Sequence, residues 1–214
     1  MDNNLWRESL SLRLAINIIR KDWFEHKKLI LFITGGMFLP MISGVQTDLG
    51  KGMVAGILMG ASYSYGHFCF YAERQRGTLQ LLLSLPVRPI DLALAKYASL
   101  YSMALFTANV PGVFLGDLRL LYILNAFVVF LSTASMASTV ISAKPWAPML
   151  PFWFVLIFVM PIQNVLRRYY PEGVGVYVYL ATHLMTIATI ALILAFGLVF
   201  VSSLYFKAHC SRGL

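Results

Sequence analysis

The side chains of this sequence that could act on another molecule are concentrated in one polar stretch, residues 73–91, between two strongly apolar segments. Charged residues open the stretch, and a glycine, a threonine and a run of leucines follow, up to a proline. The residues expected to act are Glu73, Arg74, Arg76, Gly77, Thr78, Leu79, Leu82, Leu83 and Pro86. A short apolar helix suits docking in the groove of a partner protein, with Glu73, Arg74 and Arg76 as a charged rim beside it.

Local propensities divide this stretch into a helix, a turn and a second, short helix. Gly77 can adopt the left-handed conformation that ends a helix, and Thr78 can cap the helix that follows. Pro86 stops the short helix, and Pro89 suits the first turn of the next one. Two placements of the leucines stay open: they dock on a partner, or they dip into the bilayer as part of an ordinary loop.

The sequence lacks the patterns that bind nucleotides, hold metals or activate a nucleophile. Its nearest approach to a phosphate-binding loop is Gly50-Lys51-Gly52, but no Ser or Thr follows the lysine. The four histidines have no metal-ligand spacing, and neither H-E-x-x-H nor G-x-S-x-G occurs. We therefore predict no catalytic residue, no metal and no cofactor for this chain.

The composition is typical of a membrane protein. Of the 214 residues, 59% are hydrophobic and 12% are charged, whereas a soluble domain has about 25% charged residues. The mean hydropathy is +0.73. Because the length allows about six spans of roughly 20 residues, we predict an all-α fold, a polytopic membrane bundle of about six transmembrane helices.

The pattern of charges divides the chain into two parts. Residues 1–28 combine basic and apolar side chains at helical spacing, as in an amphipathic helix lying on the membrane rather than a poorly ordered basic tail. Residues 29–214 make up the six-span domain, with the 73–91 stretch as a cytoplasmic link between the second and third spans. The apolar run 174–206 is too long for one span, so we begin the sixth span at His183.

Two further groups of residues have alternative interpretations. Small residues recur every four positions in the second span, which predicts close packing with a helix of this chain or of a second copy. They are Gly52, Gly56, Gly60 and Ser64. Two arginines and two tyrosines before the last apolar run are candidates for an external gate or for a belt at the membrane surface. They are Arg167, Arg168, Tyr169 and Tyr170.

The basic residues predict the orientation. Of the 17 lysines and arginines, 13 lie in the N-terminal segment, the 72–96 region, Lys144 and the C-terminal segment, and the other 4 lie in the alternate links. Because basic residues are retained on the cytoplasmic side, both termini are predicted to be cytoplasmic. This asymmetry also explains the net charge of +8 without a nucleic-acid partner.

Residues 73–96 resemble the signature of the type-2 ABC transporter permeases. In that family a glutamate and arginine run, then Gly-Thr-Leu and a leucine-rich turn ending in proline, links the second and third spans, as Glu73 to Pro86 do in this sequence. A basic N-terminus, six spans and an extended link between the last two spans also match the family. One departure is Gln80, where family members usually carry an acidic residue.

The resemblance implies a permease subunit of an ATP-driven exporter in the cytoplasmic membrane. Gly77–Pro86 would belong to the coupling region, which transmits movement from a separate ATPase to the spans. Two permeases, identical or related, would form the pathway above two ATPase subunits that carry ATP and Mg. The alternatives are an ATP-independent carrier and a non-transporting scaffold or immunity protein. The substrate stays open.

Overall fold

The computed structural model of the chain describes residues 3–42, 57, 60–84, 88–115, 118–142, 144, 146–154 and 174–210. All regular structure in these ranges is helical, which confirms the predicted all-α class. The long helices are α1 (Asn3–Ile42), α4 (Pro89–Leu115), α5 (Leu118–Ile141) and α7 (Val174–Cys210). The short ones are α3 (Thr78–Leu83) and α6 (Leu150–Phe154), the latter after a 3-10 turn, Ala147–Met149.

The helix before α3 contains an irregular turn. Residues 60–66 are α-helical, His67–Ala72 form a π-helical turn, and Glu73–Gln75 return to α-helical geometry. We call residues 60–75 together α2. A π-helical turn inserts an extra residue into the helix, so it shifts the side on which the following residues emerge.

The first helix is longer than predicted. We expected an interfacial helix to end at residue 28 and a span to begin at residue 29, but α1 continues through this point without a break. The reason is local: no glycine or proline occurs in the helix before Gly35, so nothing in the sequence interrupts it. Likewise α7 is continuous across His183, where we expected a boundary.

α4 is the central helix, and α1, α5 and α7 all pack against it. Tyrosine hydroxyls link it to its neighbours: Tyr97 Oη lies 2.6 Å from Ser202 Oγ of α7, and Tyr101 Oη lies 2.8 Å from Thr133 Oγ1 of α5. Such bonds between helices satisfy polar groups that water cannot reach.

Two described helices are long and apolar enough to cross a membrane. They are Leu121–Ile141 within α5 and His183–His209 within α7. Only 17% of the most apolar part of the α7 segment is buried inside the protein. The core helix of a soluble protein would instead be mostly buried, because water penalises exposed apolar surface.

Candidate functional site

Charged side chains from three helices meet at the base of α3. Lys96 Nζ of α4 donates to Asp22 Oδ1 of α1 at 3.0 Å and to Oδ2 at 3.2 Å, and it lies 2.7 Å from Glu73 Oε1 of α2. Lys21 Nζ also donates to Glu73 Oε1, and it lies 3.6 Å from Glu25. We call these five residues the ionic cluster.

The centre of the ionic cluster is closed to solvent. Lys96 and Asp22 are each 0% exposed, and Glu73 is 4% exposed. Removing such charges from water costs several kcal/mol per ion, on the order estimated for real proteins, so their mutual pairing is required. The cluster therefore holds α1, α2 and α4 in one register, since a shift of any one helix separates opposite charges.

Charge balance within the ionic cluster is incomplete. Three carboxylates face two ammonium groups, and Glu73 Oε2 is buried without a hydrogen-bond partner among the described residues. Burial lowers the pKa of Lys21, but the hydrogen bond to Glu73 and the nearby carboxylates outweigh it, so the pKa of Lys21 lies above its ordinary value. The excess of carboxylates thus favours the charged form of Lys21.

The acidic members of the cluster have the donor atoms of a cation site. Oxygen atoms of Asp22, Glu25 and Glu73 lie within 4.8 Å of one another. However, both lysine ammonium groups already contact Glu73 Oε1, and they occupy the positions from which a metal ion would be bound. We therefore assign these carboxylates to ion pairing between helices.

The turn that leads from the ionic cluster to α3 contains a glycine in the predicted conformation. Gly77 has a φ of 72°, the left-handed conformation expected at a helix end. The prediction for Thr78 was wrong: Gly77 is the N-cap of α3, and no side-chain hydrogen bond caps the helix. Because Gly77 itself reverses the chain, Thr78 already lies within the first turn of α3.

The leucines of α3 divide between two faces. Leu79 is buried, and Leu82 and Leu83 are half-buried against the hydrophobic core of this chain. Leu81 points the other way and is 70% exposed. Intramolecular packing thus accounts for most of the apolar character of α3, and Leu81 is the leucine left for contact with another molecule.

The charged residues before α3 also point in different directions. We expected Glu73, Arg74 and Arg76 to form a charged rim together. Instead, Glu73 is turned into the ionic cluster, while Arg74 is half-buried and Arg76 is exposed. Successive residues of a helix are rotated by about 100°, so the side chains of Glu73 and Arg74 emerge on different sides.

Close helix packing occurs near the predicted glycine series but at a different residue. A Cβ on Gly66 would lie 2.7 Å from Ser135 Cβ and 3.1 Å from the Met136 backbone nitrogen, so α2 and α5 approach each other closely there. Gly60 is exposed, with no described atom within 4 Å of the corresponding position, and Ser64 is half-buried. The other predicted residues outside the described part of the chain are Gly52, Gly56, Pro86, Arg167, Arg168, Tyr169 and Tyr170.

Sequence reasoning missed Asp22 and Lys96 as members of a site. A signal for each was present. Lys96 follows Leu92 by four residues inside an apolar segment, and an ionisable residue at such a position is a functional candidate by default. Asp22 is an acidic residue in a predominantly basic helix segment, four residues after the buried Ile18.

No protein-family model matches the sequence, and no curated protein matches it either. A functional assignment therefore depends on the residues and on the geometry of the ionic cluster and α3.

Proposed function

We propose that this chain is the membrane-spanning permease subunit of an ATP-driven ABC exporter. The observation that carries the proposal is the arrangement at α3: a short helix presents Leu81 outward, and its base is held to α1 and α4 by the ionic cluster. Leu81 is exposed for contact with a partner, and α3 is fixed to the long helices at its base. This arrangement suits a segment that receives movement from a partner and passes it to those helices.

The surface of α7 supports a membrane location. Between residues 183 and 203 its buried side is made of small residues, among them Ala188, Ala191 and Ala195, while large apolar side chains such as Phe196 and Phe200 face outward. Water would penalise that arrangement, whereas lipid solvates large apolar side chains and small residues allow helices to approach. We infer a bundle of six spans in the cytoplasmic membrane, with both termini on the cytoplasmic side.

In the proposed mechanism, the ATPase is a separate polypeptide. Two ATPase subunits, which carry ATP and Mg, dock beneath two permeases that are identical or related. Closure of the ATPases on ATP displaces α3, and the ionic cluster passes the displacement to α1 and α4. Because buried charges tolerate only a few arrangements, these helices move together with α3 and change the access of the pathway between the permeases.

The test uses two exposed leucines, one in α3 before the start of α4 and one in α5 after its end. In Leu81→Asp a carboxylate replaces the outward leucine of α3; Leu118→Asp is a matched control at the start of α5, also exposed. The 27 residues of α4 separate these positions by about 40 Å. We expect Leu81→Asp to abolish ATP hydrolysis that depends on the permease in reconstituted vesicles, with normal insertion, and Leu118→Asp to retain it. Wild-type hydrolysis in Leu81→Asp would overturn the proposal.

One observation favours a second candidate function, an ion-coupled carrier that needs no ATP. Such carriers use ionisable groups buried between their helices, and the ionic cluster contains five ionisable side chains, three of them carboxylates. Vesicles that contain the permease chain alone distinguish the two functions. Proton flux under an imposed pH gradient, lost in Glu73→Gln, would favour the carrier, whereas the exporter predicts no such flux.

A further inference from the structure

The face of α1 opposite Asp22 carries a line of basic side chains, and Lys28 flanks this line on the side of Lys21. Arg13, Arg20 and Lys27 recur every seven residues, a spacing that drifts only about 20° per repeat around a helix. Lys28 lies beside Lys27. All four are exposed. We call them the basic stripe.

The buried carboxylate of α1 lies on the side away from Arg13, Arg20 and Lys27. Asp22 follows Arg13 by nine residues, which places it on the far side of the helix, where it is buried against Lys96. Glu25 is paired with Lys21. Within the described part of the chain, no carboxylate lies within ion-pair distance of the basic stripe. Among the described side chains, the stripe therefore presents positive charge outward with no carboxylate paired to it.

Apolar side chains continue the same line. Phe24 is 71% exposed between Arg20 and Lys27, and the Lys27 ammonium lies 4.2 Å from the centre of its ring. One turn beyond the stripe, Leu31 is 67% exposed. The outward face of α1 thus changes from charged to apolar between Lys28 and Leu31, over about 4.5 Å along the helix axis.

We propose that the basic stripe binds acidic phospholipids of the cytoplasmic leaflet. Lipid phosphates pair with Arg20, Lys27 and Lys28, while Leu31 contacts the upper part of the acyl chains. The apolar continuation favours lipid as the occupant, because one phospholipid molecule presents a phosphate and then hydrocarbon in the order in which α1 presents basic side chains and then Leu31. Asp22 determines which face of α1 meets the lipid, since its pairing with Lys96 sets the rotation of the helix.

This proposal does not depend on an ATPase, and a binding measurement on the full chain tests it. Detergent-solubilised protein is titrated with a short-chain phosphatidylglycerol or with the matching phosphatidylcholine, and bound lipid is counted by native mass spectrometry. We expect a preference for phosphatidylglycerol. In Lys27→Gln/Lys28→Gln its binding should weaken by about five-fold per charge removed, about 25-fold in all, with phosphatidylcholine binding unchanged.

The matched control is Lys144→Gln/Lys207→Gln, which removes the same charge from two other exposed lysines. It should bind phosphatidylglycerol as the wild type does. Equal weakening in the control would reduce the effect to net charge and overturn the proposal. So would wild-type binding in Lys27→Gln/Lys28→Gln, and so would displacement of the lipid by inorganic phosphate, which would identify a site for a free anion.

Discussion

The ionic cluster and the contacts of α5 hold the bundle together by different physical means. In the cluster, buried opposite charges fix three helices in one register. Around α5, small residues allow close approach, as at Gly66 and Ser135, and single hydroxyl bonds such as Tyr101 to Thr133 join the helices. Charges lose much of their pairing energy on a small displacement, whereas packed small residues can slide. The cluster is therefore suited to transmit a movement of α3, and α5 to support the bundle while it moves.

The largest expected effect comes from removing the shared cation of the cluster. Lys96→Met leaves Asp22 with only the Lys21 ammonium, 3.8 Å away, and Glu73 with Lys21 alone. Breaking a buried ion pair in this way costs about 3–5 kcal/mol. We expect a loss of that order in the free energy of unfolding, measured by reversible denaturation in mixed micelles. Lys28→Met, which removes an exposed charge from α1, should change it little; an equal loss in both variants would contradict the role of the cluster.

A smaller loss of stability is expected from a substitution where α2 packs against α5. Gly66→Ala places a Cβ against Ser135 and the backbone of Met136. Forcing an extra methyl group into such a contact costs about 1–3 kcal/mol. Gly60→Ala is the matched control, because no described atom lies near that position and alanine favours the helix. Unfolding midpoints should fall for Gly66→Ala and stay level or rise for Gly60→Ala. A lower unfolding midpoint for Gly60→Ala than for Gly66→Ala would contradict the close contact between α2 and α5 at Gly66.

The hydrogen bonds between hydroxyl groups around α4 should each contribute less to the free energy of unfolding. A double-mutant cycle with Tyr97→Phe and Ser202→Ala isolates the bond between α4 and α7, whose oxygen atoms lie 2.6 Å apart. Bonds of this kind within membranes average about 0.6 kcal/mol of coupling. A coupling energy as large as that of the ionic cluster would remove the contrast between the two regions.

The smallest expected effect is on the pH dependence of stability. Burial lowers the pKa of His26 below 6.5, while the nearby carboxylates of Asp22, Glu25 and Glu73 oppose that shift and Lys96 reinforces it. Since the unfolded chain then binds the proton more tightly, stability is lost as pH falls from about 6.5 through the folded-state pKa. His26→Gln should lose less stability than the wild type between neutral and mildly acidic pH. Identical pH profiles would show that His26 titrates normally.

The composition was sufficient to predict the helical class, because a chain with so few charges buries its backbone polar groups most simply in helices. Helix ends were predictable only where a residue imposes one. Gly77 was found because its left-handed conformation is a local requirement, whereas no local signal stops α1 near residue 28. The inferred end at residue 28 rested on the change from basic to apolar residues, and the one at His183 on span length, and a continuous helix is compatible with both.

The ionic cluster was not predictable as a unit, because its pairing joins residues far apart in the chain. Asp22 and Lys96 are 74 residues apart, and Lys21 and Glu73 are 52 residues apart. Their meeting depends on how α1 packs on α4 and on the π-helical turn before Glu73. The spacing of residues along one helix reveals neither the packing of α1 on α4 nor the π-helical turn. The outward position of Leu81 depends on the same packing, which turns Leu79 and its neighbours inward.

The most direct test of the account is to purify the tagged chain gently from its native membranes and to identify the proteins that accompany it. The account predicts an ATPase with a phosphate-binding loop, retained by the wild type and by Leu118→Asp and lost from Leu81→Asp. A chain that arrives without any nucleotide-binding protein under several mild detergents, or an ATPase retained equally by Leu81→Asp, would contradict the assignment of α3 as the coupling helix.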